Sequence, residues 1–241
     1  MKVLLLFIFL STAIFASEAE DIIKKVDQNM RGKTLYLKIA MNIQTDYYKR
    51  NMVLESYSEG SKKNFVKMLS PSKNYGITFL SLHGQMWQYI PKIERIIKIP
   101  PSMMLQKWMG SDITNDDLVK QSSIVKDYTA KMLEKKGTLA TILLTPKADA
   151  AVVWGKIITT IDTKTYTNQE EIYFDDDGKK VRTFVYKNVK KYGNYYLPTL
   201  WIIQPFDAPK HKTTLQIKEA KYDAPINPAY FSKSALKRFS N

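Results

Sequence analysis

The chain has 241 residues, no cysteine, two histidines and a formal net charge of +14 at pH 7. The lack of cysteine excludes a lipid-modified cysteine, disulfides and thiolate catalysis, and His83 and His211 lie too far apart in sequence for a histidine-rich metal site. The basic excess fits solvated outer faces of strands or, in an exported protein, anionic lipid head groups, a membrane surface or an acidic partner rather than nucleic acid.

Residues 1–16 combine a basic Lys2, an apolar run and a terminal Ala16, the pattern of a cleaved secretory signal peptide. The run is shorter than the roughly 20 residues a membrane span needs. Cleavage is expected after Ala16, leaving residues 17–241 as one domain, exported and not itself lipidated. In residues 17–31, Ile22, Ile23, Val26 and Met30 recur at helical spacing behind Glu18, Glu20 and Asp21, and Gly32 stops the helix.

Strands follow. In residues 33–44, Leu35, Leu37, Ile39, Met41 and Ile43 share one face by alternation. Residues 48–58 and 62–69 continue as strands, and residues 70–76 form a loop. Residues 85–91 and 94–99 alternate as a hairpin about Pro91 and Lys92 until Pro100 and Pro101 end strand character. Residues 102–109 suit a short helix with Met103, Met104, Leu105, Trp108 and Met109 on it, stopped by Gly110. Thr114 then offers an N-cap, with Asp116 and Asp117 in the first turn. Methionine suits surfaces that take variable apolar partners, so this segment fits a lid over an apolar hollow; the same composition fits an ordinary core.

The remaining strands are expected at 125–134, 138–145, 154–162, 166–174, 179–190, 195–206 and 212–222. Residues 175–178 read as a hairpin with Gly178 at positive φ rather than as a calcium loop, which would need further ligands. Residues 227–231 suit a helical turn, followed by a basic tail carrying Lys233, Lys237 and Arg238. Many long strands joined by short turns predict a mainly β protein, with one meandering antiparallel sheet curled on itself. No nucleophile elbow, metalloprotease helix or phosphate loop occurs, so no catalytic residue, metal site or cofactor is expected. Glu170 and Glu171 point to opposite faces of their strand and are read as solvated surface.

Trp87, Tyr89, Pro91 and Arg95, followed after a short helix by Met109, Gly110, Ser111, Asp112, Thr114, Asp117 and Leu118, form an ordered set of uncommon residues. This pattern resembles the outer-membrane lipoprotein-sorting protein family, in particular the LolA-like branch found with exporters of the resistance-nodulation-division (RND) type. Leu197, Pro198 and Trp201 match the family's habit further on. The resemblance implies an incomplete antiparallel β-barrel, or single curved sheet, with an N-terminal helix and short lid helices over a hydrophobic cavity. It implies a periplasmic, non-enzymatic carrier that binds acyl chains of lipoproteins or lipids and shuttles them towards or from the outer membrane. Its partners would be an RND-type or other inner-membrane exporter and an outer-membrane acceptor, with peripheral contact to anionic membrane and none to nucleic acid. The alternative is a lipid-sensing or accessory interaction module of an export system. Met86, Trp87, Tyr89, Met103, Met104, Leu105, Trp108 and Met109 are the cavity and lid candidates. Arg95 is the candidate for a head-group contact or lid clasp, with an outward strand position as the plainer reading. Gly110, Ser111, Asp112, Thr114 and Asp117 form the structural motif around the turn.

Overall fold

The structure, a computed structural model, describes residues 4–120, 124–150 and 152–241, with residues 4–17 and 120 described by backbone alone. The expected leader therefore lies partly outside the described residues. The first helix, α1 (Leu4–Arg31), extends N-terminally of the expected start at Ser17. Gly32 ends it at φ 58°, and its N–H closes the last turn on the Gln28 carbonyl at 3.0 Å.

Thirteen antiparallel strands form one sheet. They are β1 (Thr34–Gln44), β2 (Lys49–Glu59), β3 (Lys63–Ser70), β4 (Thr78–Leu82), β5 (Gln85–Ile90), β6 (Arg95–Ile99), β7 (Tyr128–Lys136), β8 (Leu139–Pro146), β9 (Lys156–Asp162), β10 (Thr167–Phe174), β11 (Lys180–Tyr192), β12 (Tyr195–Pro205) and β13 (Lys212–Tyr222). The order is β6-β5-β4-β3-β2-β1-β13-β12-β11-β10-β9-β8-β7. Each strand pairs with its sequence neighbour except at one place: β6 and β7 are the two open edges, and the first and last strands meet in the middle. The sheet is an unclosed barrel, and the connection between its two edges carries the remaining short elements.

Alternation explains the two faces. Leu35, Leu37, Ile39, Met41 and Ile43 of β1 are all buried on the concave side, as expected, together with Met52, Leu54, Met68, Leu144, Ile157, Ile161, Leu197 and Leu215. Ala19, Ile22, Ile23 and Val26 of α1 lie against this surface. Register shifts at Lys38/Ile39, Val53/Leu54, Met132/Glu134 and Asn168/Glu170 interrupt the ladders, and such bulges favour local bending and twist.

A second, smaller core sits on the outer face. Phe65, Leu80, Trp87 and Tyr89 pack there against Ala235 and Leu236 of α4 (Ala235–Arg238) and against Tyr230, Phe231 and Phe239. The segment expected as a basic tail is thus a docked element. Its apolar residues seal β2 to β5 from outside while Lys237 and Arg238 face solvent, and Thr78 Oγ1 donates to the Leu236 carbonyl at 2.7 Å. Among the described residues no helix is long and apolar enough to cross a membrane.

Candidate functional site

The concave face encloses a cavity of about 180 Å³ beneath α1. Leu35, Leu37, Leu144, Leu197 and Trp201 line it from the sheet, and Ile23, Val26 and Met30 from α1. The remaining cover comes from the edge-to-edge connection: α2 (Asn115–Lys120) contributes Leu118 and Val119, and α3 (Ile124–Asp127) contributes Ile124. The mouth is rimmed by Ser58, Gly60, Lys62 and Gly84 at one end of the strands, beside Asp27 and Arg31 of α1.

α1 is fixed in place by a side chain that imitates a strand. Asn29 Nδ2 donates to the Tyr196 carbonyl at 2.7 Å, and Tyr196 N–H donates back to Asn29 Oδ1 at 2.8 Å. α2 is held by charge instead. Arg182 of β11 is 3 % exposed and meets Asp117 in a two-pronged pair, Nη1 to Oδ2 at 2.7 Å and Nη2 to Oδ1 at 2.5 Å. Nη1 also donates to the Asp112 carbonyl at 3.1 Å. The guanidinium lies 4.4, 4.7 and 5.0 Å from the ring centres of Trp154, Tyr173 and Phe184. Burial alone would weaken its hold on the proton, but the Asp117 carboxylate together with Tyr173 and Tyr186 raises the pKa on balance. Planar arginine suits this cage because it pairs bidentately with a carboxylate while its faces stack on aromatic rings.

The same carboxylate starts the helix. Asp117 Oδ2 accepts from Thr114 N–H at 2.7 Å, and Asp117 N–H donates to Thr114 Oγ1 at 3.3 Å. This reciprocal capping box bears out Thr114 as the cap. Just upstream, Thr213 Oγ1 donates to Asp112 Oδ2 at 2.8 Å and accepts from Asp112 N–H at 2.9 Å, while Lys107 Nζ donates to Oδ1 at 3.2 Å. Ser111 Oγ donates to the Trp108 carbonyl at 2.7 Å. Gly110 has φ +73°, and a Cβ there would sit 2.7 Å from Arg50 Nη2, whose guanidinium holds the Met109 carbonyl. The motif residues, with Ser111, Asp112 and Thr114 buried, thus form one knot that ties the connection to β2, β11 and β13.

The cavity wall also carries an acid. Glu171 of β10 is 4 % exposed; Tyr186 Oη and Tyr173 Oη donate to its Oε2 at 2.6 and 3.1 Å, and Asn168 Nδ2 to its Oε1 at 2.8 Å. Burial raises its pKa, against the opposing pull of the two phenols and of Arg182. Burial likewise pushes both phenols well above their usual range.

A family model described as "Uncharacterized protein" matches residues 60–238. The chain belongs to that family. No curated protein matches it significantly. Solved structures show the fold. A DUF1329 family protein from Desulfovibrio piger superposes with a TM-score of 0.84 at 18 % identity, over 92 % of this chain and 99 % of that one. A putative outer membrane lipoprotein-sorting protein domain from Vibrio parahaemolyticus gives 0.80 at 20 % identity, over 92 % and 100 %. A LolA superfamily protein from Nitrosomonas europaea gives 0.75 at 17 % identity, over 90 % and 98 %. The fold is LolA-like, as the sequence resemblance implied.

Within this LolA-like frame the structure redistributes the candidate residues. Residues 102–109 do not form an α-helix: short 3-10 turns at Pro101–Met103 and Trp108–Gly110 take their place. The carbonyls that a helix would satisfy internally are met from α2 and its start. Asn115 N–H bonds to Gln106, Asp116 N–H to Met104 and Asn115 Nδ2 to Met103, at 3.1, 2.9 and 3.0 Å. Met109 and Gly110 then take successive left-handed conformations. None of the eight cavity and lid candidates is among the residues that line the cavity. Met86 is buried in the concave core, Met103, Met104 and Met109 pack at its border, and Leu105 is exposed. Trp108 is buried edge-on against Phe79, 5.3 Å between ring centres. Trp87 and Tyr89 face the outer core, one residue out of phase with Met86.

Arg95 is exposed on edge strand β6, opposite Ile90 in the ladder. Gly84, at the mouth, lies at the other end of β5, so Arg95 is remote from the opening. The arginines that contact the connection are Arg182, through Asp117, and Arg50, through the Met109 carbonyl. Glu171, expected as solvated surface, is buried, while Glu170 beside it is exposed. Arg182 and Glu171 each sit in an ordinary alternating strand, where nothing local marks a charge as pointing inward.

Proposed function

We propose that the protein is a non-enzymatic periplasmic carrier that holds an acyl chain of a lipid or lipoprotein between the concave sheet, α1 and the α2–α3 cover. The observation that carries this reading is the cavity itself: a hollow of about 180 Å³ with apolar flanks on the inner face of an unclosed barrel, covered by α1 and by short helices on the connection between its two edges. That free volume is on the scale of one small aromatic ring, since a cavity of about 150 Å³ takes benzene. An acyl chain therefore enters by displacing the cover, and α2, a six-residue helix tied to the sheet through the Asp117–Arg182 pair, is the part that moves in this reading. Each buried CH2 contributes about 0.8 kcal/mol without directed bonds, which gives tight holding together with release once the cover opens.

The address and the partners rest on the resemblance to lipoprotein-sorting proteins and on the leader-like residues 1–16. A source in an RND-type or other inner-membrane exporter and an outer-membrane acceptor belong to the same proposal. Arg95 and the exposed Ile93, Ile96 and Ile97 at edge strand β6 are the surface at which such contacts are expected.

The test is native mass spectrometry with organic extraction, on protein purified from its own compartment without detergent. A co-purifying lipid or acylated lipoprotein is the expected result. An empty protein that also fails to take up labelled phospholipid or acylated lipoprotein refutes the carrier reading and favours an interaction module.

A further inference from the structure

The cavity wall is apolar on both flanks and polar in the middle. Thr159 of β9, Glu171 and Tyr173 of β10 and Tyr186 of β11 all line it, and each is at most 8 % exposed. Thr159 stands directly opposite Glu171 in the ladder, so the two side chains rise together from the concave face. Glu171 has its three donors. Thr159 does not: its Oγ1 is buried and has no hydrogen-bond partner. An unsatisfied buried hydroxyl destabilises the fold, and valine would fill the same shape without that penalty. On the same strand Ile157 and Ile161 occupy the equivalent inward positions with no such penalty.

An open hydroxyl beside a buried carboxyl, at the wall of a cavity, is a hydrogen-bonding seat for something that arrives from outside. The seat favours an uncharged group. Arg182 already spends its charge on Asp117, and burial favours the neutral form of Glu171. A protonated Glu171 still accepts both phenols at Oε2 and gains a donor at Oε1. A cation or anion brought to this depth would lose its hydration without a counter-charge.

We infer that the cavity takes its cargo polar end first, seating a hydroxyl-terminated apolar chain on Thr159 Oγ1 and Glu171, between Leu144 on one side and Leu197 and Trp201 on the other. This specificity rests on the carrier reading and narrows it to amphiphiles with a small neutral donor–acceptor end. The ladder places the seat: β9, β10 and β11 are neighbours near the middle of one half of the sheet, below α1 and away from the rim of Ser58, Gly60 and Gly84.

The test uses two isomers of identical composition, 1-decanol and 1-methoxynonane, each displacing N-phenyl-1-naphthylamine from the full-length protein. The alcohol donates and accepts, whereas the ether only accepts. Wild type is expected to prefer decanol over the ether by roughly 2- to 10-fold, the value of one net hydrogen bond. Thr159→Val is expected to fold at least as stably as wild type and to lose more affinity for decanol, which both donates to and accepts from the hydroxyl, than for the ether, which only accepts, so that the preference shrinks. Glu171→Gln, which keeps a donor and an acceptor, is expected to retain part of it. Equal binding of both isomers by wild type, or an unchanged preference in Thr159→Val, overturns the polar seat and leaves the carrier reading standing. Failure of the naphthylamine and both isomers to bind overturns the two together.

Discussion

Removing the Asp117 carboxylate, in Asp117→Ala, strikes the cover where it is tied down. Arg182 would be left 3 % exposed with its charge unpaired, and breaking a buried pair in this way costs about 3–5 kcal/mol. Loss of the capping box at Thr114 adds about 1 kcal/mol. The expected loss in urea unfolding is therefore about 4–6 kcal/mol if the cover and the sheet unfold together. If α2 opens on its own, the global loss is smaller, and hydrogen exchange at the Val119 amide accelerates instead. The control is Asp117→Ala combined with Arg182→Met, which removes both charges and keeps an apolar stem among Trp154, Tyr173 and Phe184. The double variant should recover most of the loss, because the penalty lies in the orphaned charge rather than in the missing attraction. A double variant no more stable than Asp117→Ala, or a single variant within about 0.5 kcal/mol of wild type with unchanged exchange, refutes the clasp.

Glu171 makes stability depend on pH. Burial holds its carboxyl above the ordinary 4.5, so the folded state binds the proton more tightly than the unfolded chain. Its contribution is full below about pH 4.5 and is lost as pH rises through the folded value, so Glu171→Gln should gain on wild type from pH 4 to pH 8; a difference independent of pH removes this reasoning. Trp201 lines the cavity and Trp108 does not, so the fluorescence change on lipid binding should vanish in Trp201→Phe and persist in Trp108→Phe; the reverse pattern would return the lid role to Trp108. Leu236→Ala should destabilise by about 2–5 kcal/mol through the outer core alone, leaving lipid affinity at temperatures below its melting point unchanged. Gly110→Ala should cost more than about 1 kcal/mol, because its left-handed backbone and the nearby Arg50 Nη2 both oppose a Cβ; thermal melting equal to wild type would show that the knot relaxes freely.

Most of the fold was legible in the sequence. That Leu35, Leu37, Ile39, Met41 and Ile43 share one face followed from alternation, and the breaks at Gly32 and Gly178 from glycine's access to positive φ. The Thr114 cap followed from its residue type and its place just before the acids of the first turn. Alternation failed for residues 125–127, where α3 replaces the start of the expected strand, and the helix expected at residues 102–109 does not form, because carbonyls there are met from α2 and its start. Both lie in the connection between the sheet edges, where local periodicity competes with long-range contacts.

The sequence by itself determined that a long antiparallel meander forms, which residues share a face and where a motif-bearing connection interrupts it. Only the tertiary structure decided which face is inside and what meets across the cavity. Alternation puts Met86 and Trp87 on opposite faces, but it does not say that Trp87 faces the outer core; the docking of Leu236 and Phe239 shows that. Asp117 finds Arg182 across a separation of 65 residues, and Thr159 stands opposite Glu171, through strand order and register. A sheet with a two-residue period specifies faces locally. Curvature and strand neighbours, set by the whole chain, choose which inward charges become a clasp and which inward hydroxyl is left open.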